Sequence, residues 1–422
     1  MRIKKDVLII GSGMSGLAAA HFAIQKGLSC AVASTSAGCM GFAPGTLDLC
    51  SVHPVKPITY HDSPQIAIDN LIKDKADHPF AKIGIENILS AWNDFGSYLE
   101  TSPLKYSFDV DENVNIITAA GTLKPSNMVP QSLRNNADVW SEKIKTLIID
   151  ISELKNFSAK QVTENLKERW TTLDAATISI EDLIEQKEIH ILKLCSLLEK
   201  EDFCLSFCDK IKEKLNGHMA LGLPEICGFT ETASVLKSLE NELKVKVFEI
   251  PGPPPTGTGS RLLQILRDDL INKGVEMYIG HTFKNLSYEN GLIKEIILKG
   301  LVDEKTIEAE HVILATGRFF GGGLIAESHG VREALFDLPV RVSENRDDWH
   351  MDSLLGAPGH SLNSCGIDTD ALCRPLTKGN SLLYDNLYAV GSILANQDWV
   401  REKSGTGIAV STAWQAIENI SK

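Results

Sequence analysis

A glycine-rich turn near the N-terminus constrains the fold of this chain more than any other feature. The segment VLIIGSGMSGLAAA, residues 7–20, places Gly11, Gly13 and Gly16 in a G-x-G-x-x-G pattern between an apolar stretch and a helix-forming one. In this pattern the first glycine allows a tight turn, the second lets a phosphate approach the backbone, and the third lets helix and strand pack closely. The pattern therefore predicts a dinucleotide-binding β–α–β unit whose helix N-terminus faces a phosphate.

The second strand of this unit lacks the acidic residue that usually ends it. CAVAS, residues 30–34, ends at Ser34, where an Asp or Glu would accept hydrogen bonds from the adenosine ribose of a dinucleotide. The hydroxyls of Ser34 and Thr35 could still bond a ribose. The usual acidic contact is nevertheless missing at this position.

Charge and composition exclude several classes of partner. The chain has 422 residues, a net charge of -13 and no run of five Lys or Arg residues, so a nucleic-acid backbone is not expected as a partner. Nine scattered cysteines form no C-x-x-C pair, which favours reduced thiols and no metal site, and Cys204 and Cys208 are best explained as small buried residues on a helix. No stretch has the 18 or more uninterrupted apolar residues of a membrane span. We therefore expect membrane attachment only through another chain.

Two later motifs favour a flavin over a nicotinamide cofactor. ATG at 315–317 follows an apolar strand, and LYAVGS at 387–392 precedes a helix that starts near Gly405, Thr406 and Gly407. These motifs resemble the glutathione-reductase-like flavoprotein family. The resemblance implies that Gly317 and Gly391 lie beside the flavin and that the last helix points its N-terminus at the pyrimidine end of the ring. A helix N-terminus there stabilises the negative charge of a reduced flavin.

A serine also stands where these flavoproteins usually carry an Asp. Ser392 follows Gly391. Together with Ser34 it is the second departure from the family pattern at a position that usually contacts a dinucleotide. Both changes remove negative charge. A cofactor with one terminal phosphate and no adenosine ribose needs less from both positions, which is compatible with FMN and leaves FAD as the alternative.

A narrower resemblance comes from three segments at both ends of the chain. GFAPGTLDL at 41–49, ATGRFFGGGL at 315–324 and NLYAVGSILANQDWVREKSGTGIAVSTAWQA at 386–416 are similar to the B-subunit family of anaerobic glycerol-3-phosphate dehydrogenase, flavoproteins assigned FMN. The resemblance implies oxidation of sn-glycerol 3-phosphate to dihydroxyacetone phosphate with quinone as acceptor. It also implies a larger, FAD-containing partner, the A subunit, together with an iron-sulfur partner, the C subunit, that docks the complex on the membrane. The chain is then expected to be cytoplasmic, at the inner face of the cell membrane.

The order of motifs predicts an α/β fold with a divided flavin-binding domain. We expect a glutathione-reductase-like Rossmann domain built from residues 1–50, 255–340 and 380–422. Residues 51–254 form an inserted mixed domain of helices and strands, and residues 341–379 a connecting segment near the active site. PGPPPTGTG at 251–259 marks the crossover, because three prolines prevent a helix and Gly-Thr-Gly permits a tight turn. Residues 152–216 have an almost entirely helical pattern and are the expected partner interface.

Three side chains are candidates for catalysis. Arg318 follows the ATG turn and Arg401 precedes the last helix, and either guanidinium could hold a phosphate or stabilise the reduced flavin. His360, in the loop GAPGHSLNSCGID, is the histidine best placed for proton transfer. Thr46 and Asp48 lie in a loop that in similar flavoproteins runs beside the ring, although Asp48 could simply cap a turn.

Two other functions are compatible with the same residues. A self-sufficient FAD oxidoreductase of a small organic acid or amine would turn over as an isolated chain. A flavin-fold subunit without cofactor would serve only for docking, and the serines at positions 34 and 392 keep that alternative open.

Overall fold

The computed structural model describes residues 2–354, 356 and 359–422. The strands, in chain order, are β1 (Arg2–Ile10), β2 (Cys30–Ser34), β3 (Val52–Val55), β4 (Ile58–Tyr60), β5 (Val114–Ile117), β6 (Leu123–Ser126), β7 (Thr146–Ile151), β8 (Leu173–Ile178), β9 (Ala220–Pro224), β10 (Lys246–Ile250), β11 (Glu276–Ile279), β12 (Thr282–Glu289), β13 (Leu292–Lys299), β14 (Glu304–Leu314), β15 (Leu324–Glu327), β16 (Gly330–Glu333), β17 (Val340–Arg341), β18 (Gly366–Ile367) and β19 (Leu387–Ala389). The α-helices are α1 (Met14–Gln25), α2 (Pro64–Asp74), α3 (Pro79–Ile83), α4 (Ile85–Glu100), α5 (Gln131–Glu142), α6 (Ala159–Leu166), α7 (Glu181–Ile184), α8 (Ile191–Leu198), α9 (Glu201–Lys212), α10 (Thr232–Leu243), α11 (Gly257–Asn272), α12 (Trp399–Glu402) and α13 (Gly405–Ile420).

The largest sheet gathers strands from three distant parts of the sequence. Its order is β11–β2–β1–β14–β13–β12, and β19 pairs with the end of β14. Strands β11, β2, β1, β14 and β19 are parallel, whereas β13 and β12 continue as an antiparallel hairpin. Because Ile10 pairs with Leu314, and Leu314 with Ala389, the carboxyl ends of β1, β14 and β19 meet at one edge. The predicted α/β class is confirmed, and this edge collects the glycine motifs.

A second, four-stranded parallel sheet lies within residues 146–250. Its order is β10–β9–β7–β8, with helices α6 to α10 between the strands. The prediction of an almost continuous helical pattern over residues 152–216 was wrong at β8. That strand sits at the sheet edge, and only its terminal residues Leu173 and Ile178 are buried, so it shows no apolar run that a sequence pattern could reveal.

Helix α11 begins earlier than the proline-rich crossover suggests. The Gly-Thr-Gly that was expected to form a tight turn is instead the first turn of α11, and the Thr256 side chain caps it by accepting from the Gly259 N–H at 3.2 Å. A threonine N-cap satisfies a free helix N–H and so favours a helix start here despite the poor helix propensity of glycine. Gly259 is required for packing, since a Cβ there would lie 2.1 Å from the Ala43 carbonyl oxygen.

Small side chains bring α1 and α13 together on the main sheet. Ala18, Ala19 and Ala20 of α1 and Ala413 and Ala416 of α13 are all buried in the same apolar core. Side chains of this size let two helices approach closely, so the first turns of both helices face the edge where β1, β14 and β19 end. The fold thus directs two helix N-termini at one region.

Candidate functional site

The three glycines of the N-terminal turn are required for different reasons. Gly11 has φ of 122°, and a Cβ there would lie 2.2 Å from the Ala315 carbonyl oxygen. A Cβ on Gly16 would lie 1.8 Å from the Gly11 carbonyl oxygen. Gly13, the N-cap of α1, has no heavy atom within 4 Å of a Cβ position and so faces open space. The open space at the N-terminus of α1 fits a phosphate.

The later glycine motifs come to the same place. Gly317 has φ of 70°, and its Cβ position is 3.4 Å from Ser392 Oγ. Gly391 has φ of 78° and abuts the first turn of α1, since a Cβ there would lie 1.8 Å from Ser15 Oγ. The structure therefore brings together the N-terminal turn, the ATG turn and the end of β19, which are far apart in sequence.

The loop between β2 and β3, residues 35–51, is bonded to the start of α13. The Thr406 hydroxyl donates to the Asp48 carbonyl oxygen at 2.8 Å, and the Gly407 N–H donates to the same oxygen at 2.9 Å. A Cβ on Gly407 would lie 2.3 Å from the Leu49 carbonyl oxygen, and Gly405 opens the helix. The predicted residues of both segments thus lie side by side at the positive end of a 16-residue helix.

A lysine from outside these segments completes this cluster. Lys124 on β6 contacts both carboxylate oxygens of Asp48, at 2.5 and 2.6 Å, and the hydroxyl oxygens of Thr46 at 3.0 Å and Ser126 at 2.9 Å. Asp48 therefore does more than cap a turn. Sequence reasoning missed Lys124, because it lies 76 residues from its partner and in a segment without a recognisable motif.

A buried carboxylate anchors the residues just before α13. Glu402 is fully buried, and its oxygens contact Lys75 Nζ at 2.8 Å and His78 Nε2 at 3.2 Å. Burial alone would raise the pKa of Glu402, but His78 and Lys75 hold it at about 2. Burial also lowers the pKa of the next residue, Lys403, which has a left-handed backbone with φ of 53°. Ionised Glu402 thus fixes the approach to the helix without leaving an unpaired charge.

Arg318 is largely occupied by the chain itself. Its guanidinium donates to the carbonyl oxygens of Asn363, of Leu394 at 3.0 Å and of Gln397 at 3.1 Å. Burial lowers the pKa of this arginine. The side chain thus ties the segment after β14 to the segments around β18 and β19, and it offers less to a ligand than the sequence suggested.

The other two catalytic candidates also have protein partners. Arg401 donates to the Gly356 carbonyl oxygen at 2.6 Å and contacts Asp398 at 3.4 Å. His360 Nδ1 accepts from the Met351 N–H at 2.9 Å, and Nε2 lies 3.1 Å from the Leu354 carbonyl oxygen. Both ring nitrogens of His360 contact backbone atoms of its own loop. A role of His360 in proton transfer therefore stays a prediction.

Ser34 is bonded to its neighbours as well. Its hydroxyl lies 2.8 Å from Ser12 Oγ and 2.6 Å from the Ser36 carbonyl oxygen. The Gly280 N–H donates to the Ser34 carbonyl oxygen at 2.8 Å. The end of β2 is therefore closed by hydrogen bonds within the protein.

Several polar atoms near Gly317 and Gly391 lack a hydrogen-bond partner in the protein. Among the described residues, Thr316 Oγ1, Arg318 Nε and Gln397 Oε1 are buried and make no hydrogen bond, and Gln397 is fully buried. Buried polar groups are rarely left without a partner. Together with the open space at Gly13, these atoms fit a polar cofactor with a phosphate group.

The sequence profile of the FAD binding domain family matches residues 6–408, which spans all of these segments. The chain belongs to the FAD-binding domain family. The expectation of a flavin cofactor is confirmed, without a choice between FMN and FAD. The matched residues include the strands of the main sheet and the segments between them.

Curated relatives match almost the whole chain. The B subunit of anaerobic glycerol-3-phosphate dehydrogenase from Vibrio cholerae is 26% identical over 427 residues, covering 98% of this chain and 96% of the relative. The protein of the same name from Aliivibrio fischeri is 28% identical, covering 98% and 95%. The resemblance to the B-subunit family expected from the sequence is therefore confirmed.

Solved structures of other flavoproteins are more distant. The open conformation of a flavocytochrome c3 fumarate reductase has a TM-score of 0.44 at 8% identity, covering 99% of this chain and 78% of that one. A 3-ketosteroid delta1-dehydrogenase from Sterolibacterium denitrificans scores 0.42 at 12% identity, covering 99% of both chains. Scores this low add nothing to the fold described above.

The described residues include no helix that combines the length and the apolar character required to cross a membrane. Their nine cysteines are unpaired, and Cys39 in the β2–β3 loop is exposed whereas the other eight are buried.

Proposed function

We propose that this chain is the FMN-bearing subunit of an anaerobic glycerol-3-phosphate dehydrogenase. The observation that carries the proposal is the match to relatives of that name over 98% of the chain, at nearly their full length. A match of this extent includes the three flavin-binding segments and the residues inserted between them. The reaction of the complex would be oxidation of sn-glycerol 3-phosphate to dihydroxyacetone phosphate with reduction of a quinone.

The end of β2 supports FMN over FAD. No acidic side chain follows the strand, and the Ser34 hydroxyl is already bonded to Ser12 and Ser36. An adenosine ribose would have to break these bonds or remain without the usual carboxylate. A flavin that ends in one phosphate needs only the N-terminus of α1 beside Gly13.

Positive charge near the start of α13 supports a role in electron transfer. A bound flavin accepts two electrons from a substrate and can release them singly to an iron-sulfur cluster. The N-terminus of α13 would stabilise negative charge on this side, whereas Asp48 compensates the charge of Lys124, and burial lowers the pKa of Lys403.

The proposed partners follow from the relatives' names and from the resemblance. Relatives named as a B subunit imply further subunits, and we propose two of them: a larger one that contains FAD, and an iron-sulfur one that attaches the complex to the membrane.

Residues 152–216 remain the proposed contact surface for these partners. Leu205 on α9 is 40% exposed, so Leu205→Glu changes the outer face of this helix and leaves its buried face intact. We expect both partners to copurify less with this variant than with the native chain. Unchanged copurification would reject a contact through this face of α9.

The cofactor is tested by purifying the chain alone, denaturing it and identifying the released flavin by chromatography and mass spectrometry. We expect FMN at about one per chain. FAD would reject the FMN assignment but not the role in the complex. A colourless protein that cannot be reconstituted with either flavin would reject a flavin-bearing subunit and favour a subunit that serves only for docking.

The activity is tested by coexpressing this chain with its FAD-containing and iron-sulfur partners and measuring quinone reduction by sn-glycerol 3-phosphate in isolated membranes. We expect electron transfer to quinone to fall sharply without this chain. Unchanged quinone reduction in its absence would reject a role in the electron route.

A further inference from the structure

A buried glutamate joins the second sheet to the helix behind the β2–β3 loop. Glu225 follows β9 directly, is 1% exposed and lies at the N-terminus of α11. Its oxygens accept from the backbone N–H groups of Gly252 at 3.1 Å, Gly257 at 3.3 Å and Thr258 at 3.2 Å. The Thr258 hydroxyl contacts the same carboxyl group. Glu225 thus caps α11 from outside the helix.

The first turn of α11 lies directly against residues 40–45 of the β2–β3 loop. The Thr258 hydroxyl donates to the Pro44 carbonyl oxygen at 2.7 Å. A Cβ on Gly45 would lie 2.8 Å from the Thr258 side chain, so backbone and helix are in close contact. The same loop continues through Thr46 and Asp48 to the start of α13. A change at Thr258 therefore reaches the loop that borders the flavin site.

The Thr258 hydroxyl has two acceptors and only one proton. If the Glu225 carboxyl is ionised, it competes with the Pro44 carbonyl oxygen for that proton. Glu225 Oε1 also accepts the Thr258 N–H, so the Pro44 oxygen is the group that loses its donor when the hydroxyl turns to the carboxylate. If the carboxyl is protonated, it donates to Thr258 Oγ1, and Thr258 donates to Pro44. The second arrangement satisfies every group, so the protonation state of Glu225 decides how firmly the loop is bonded to α11.

The surroundings of Glu225 allow both protonation states near neutral pH. The other charged or titratable groups packed here are Glu249 of β10, Arg261 of α11, Cys195 of α8 and Cys227. Arg261 donates to both carboxylate oxygens of Glu249, at 2.6 and 2.9 Å, so its charge is already compensated. Burial raises the pKa of Glu225 to about 7, although Thr258 and the Gly252 N–H oppose the shift.

We propose that Glu225 and Thr258 are positioning residues that couple proton uptake to the order of residues 40–45 beside the flavin. Protonation of Glu225 strengthens the Thr258–Pro44 hydrogen bond and holds the loop on α11, and loss of the proton loosens it. The inference rests on the flavin site but not on FMN or on a particular substrate.

Hydrogen exchange of the full chain, as purified, tests the coupling without an activity assay. The protection of the peptide that covers residues 40–46 is measured at about pH 6 and pH 8 and corrected for intrinsic exchange rates. We expect protection in the native chain to be about fivefold higher at the lower pH, the effect of one hydrogen bond. Glu225→Gln cannot ionise, so its protection should be the same at both pH values, although its single amide oxygen replaces only one of the two carboxyl oxygens that accept the N–H groups of Gly252, Gly257 and Thr258.

Three further variants separate the switch from a general structural role. Thr258→Val removes the hydroxyl and should give low protection at both pH values, whereas Thr258→Ser keeps the hydroxyl and the pH dependence. Glu153→Gln changes another buried glutamate that bonds Ser179 and Ile180 but not α11, so it should behave like the native chain. The proposal is overturned if Glu225→Gln retains the native pH dependence or if the native chain has none.

Discussion

At the level of single residues, glycine is needed for two unrelated physical reasons within the N-terminal turn. Gly11 and Gly16 are required because a Cβ would collide with backbone atoms of the protein itself. Gly13 has no such neighbour, so the protein alone would tolerate a side chain there. A requirement for glycine at this position must come from a ligand.

We predict that Gly13→Ala weakens flavin binding at least about tenfold while leaving the flavin-free fold intact, because the methyl group occupies phosphate space only. Flavin affinity by fluorescence titration and melting temperature of the flavin-free chain are the measurements. Gly330→Ala is the matched control, since a Cβ there also meets no atom within 4 Å, but Gly330 begins β16 of the β15–β16 hairpin and is not at a helix N-terminus. Equal flavin affinity in both variants would contradict a phosphate at Gly13.

At the level of helices and strands, isolated ion pairs join segments that local sequence does not relate. Lys124 joins the β5–β6 hairpin to the β2–β3 loop, and Arg261 joins α11 to β10. The two pairs differ in burial. Arg261 and Glu249 are fully buried, whereas the side chains of Lys124 and Asp48 are 21% and 18% exposed. Removal of one partner should therefore cost more at the buried pair.

For the hairpin, Lys124→Met should lower the free energy of unfolding by about 1–2 kcal/mol, because Asp48 loses its cation in a partly buried place. Urea unfolding monitored by circular dichroism measures the change. The double variant Lys124→Met with Asp48→Asn should recover part of the loss. A double variant as unstable as the sum of the single ones would show that the two side chains are not coupled.

For the crossover, Arg261→Met should destabilise the chain by about 3–5 kcal/mol, because ionised Glu249 is left buried without a partner. Adding Glu249→Leu should restore part of this loss, since a buried ion pair replaced by apolar side chains is often nearly neutral, but the Cys227 N–H then loses its acceptor. Unfolding in guanidinium chloride compares the three proteins. No recovery in the double variant would mean that the pair is needed for more than mutual compensation.

Across the whole molecule, the second sheet meets α11, the helix that packs on the main sheet, at buried charge rather than at an apolar surface alone. Glu225 and Glu249 follow or lie within strands of the second sheet, and Arg261 and Thr258 belong to the helix that packs on the main sheet. Burial raises the pKa of Glu225 from 4.5 to about 7, so the folded state holds a proton that the unfolded chain releases more readily. The contribution of Glu225 to stability is then present below about pH 4.5 and is lost as the pH rises to about 7.

We predict that the stability of Glu225→Gln, relative to the native chain, increases by up to about 3 kcal/mol between pH 5 and pH 8, because glutamine has no proton to lose. Urea unfolding at both pH values gives this difference. Glu153→Gln should show no such increase, as hydrogen bonds from Ser179 and the Ile180 N–H lower the pKa of Glu153 despite the opposing effect of burial. A relative stability of Glu225→Gln that does not change with pH would contradict the raised pKa.

Local sequence was enough to predict the α/β class, the N-terminal turn, the flavin and the similarity to the B-subunit family. The class and the turn depend on short spacings, such as glycines at fixed intervals after an apolar strand, whereas the flavin and the similarity came from the resemblance of short motifs to known families. The edge strand β8 escaped prediction because its neighbours in the sheet, not its own pattern, make it a strand.

Tertiary packing was needed to show which polar groups meet. It placed Lys124 on Asp48, Glu402 between His78 and Lys75, and Thr258 between Glu225 and Pro44. It also engaged Arg318 and His360 in bonds to the chain, which reduces what they offer to a ligand. Such partners lie tens to hundreds of residues apart, and their contact depends on how sheets and helices pack, which no periodicity along the chain records.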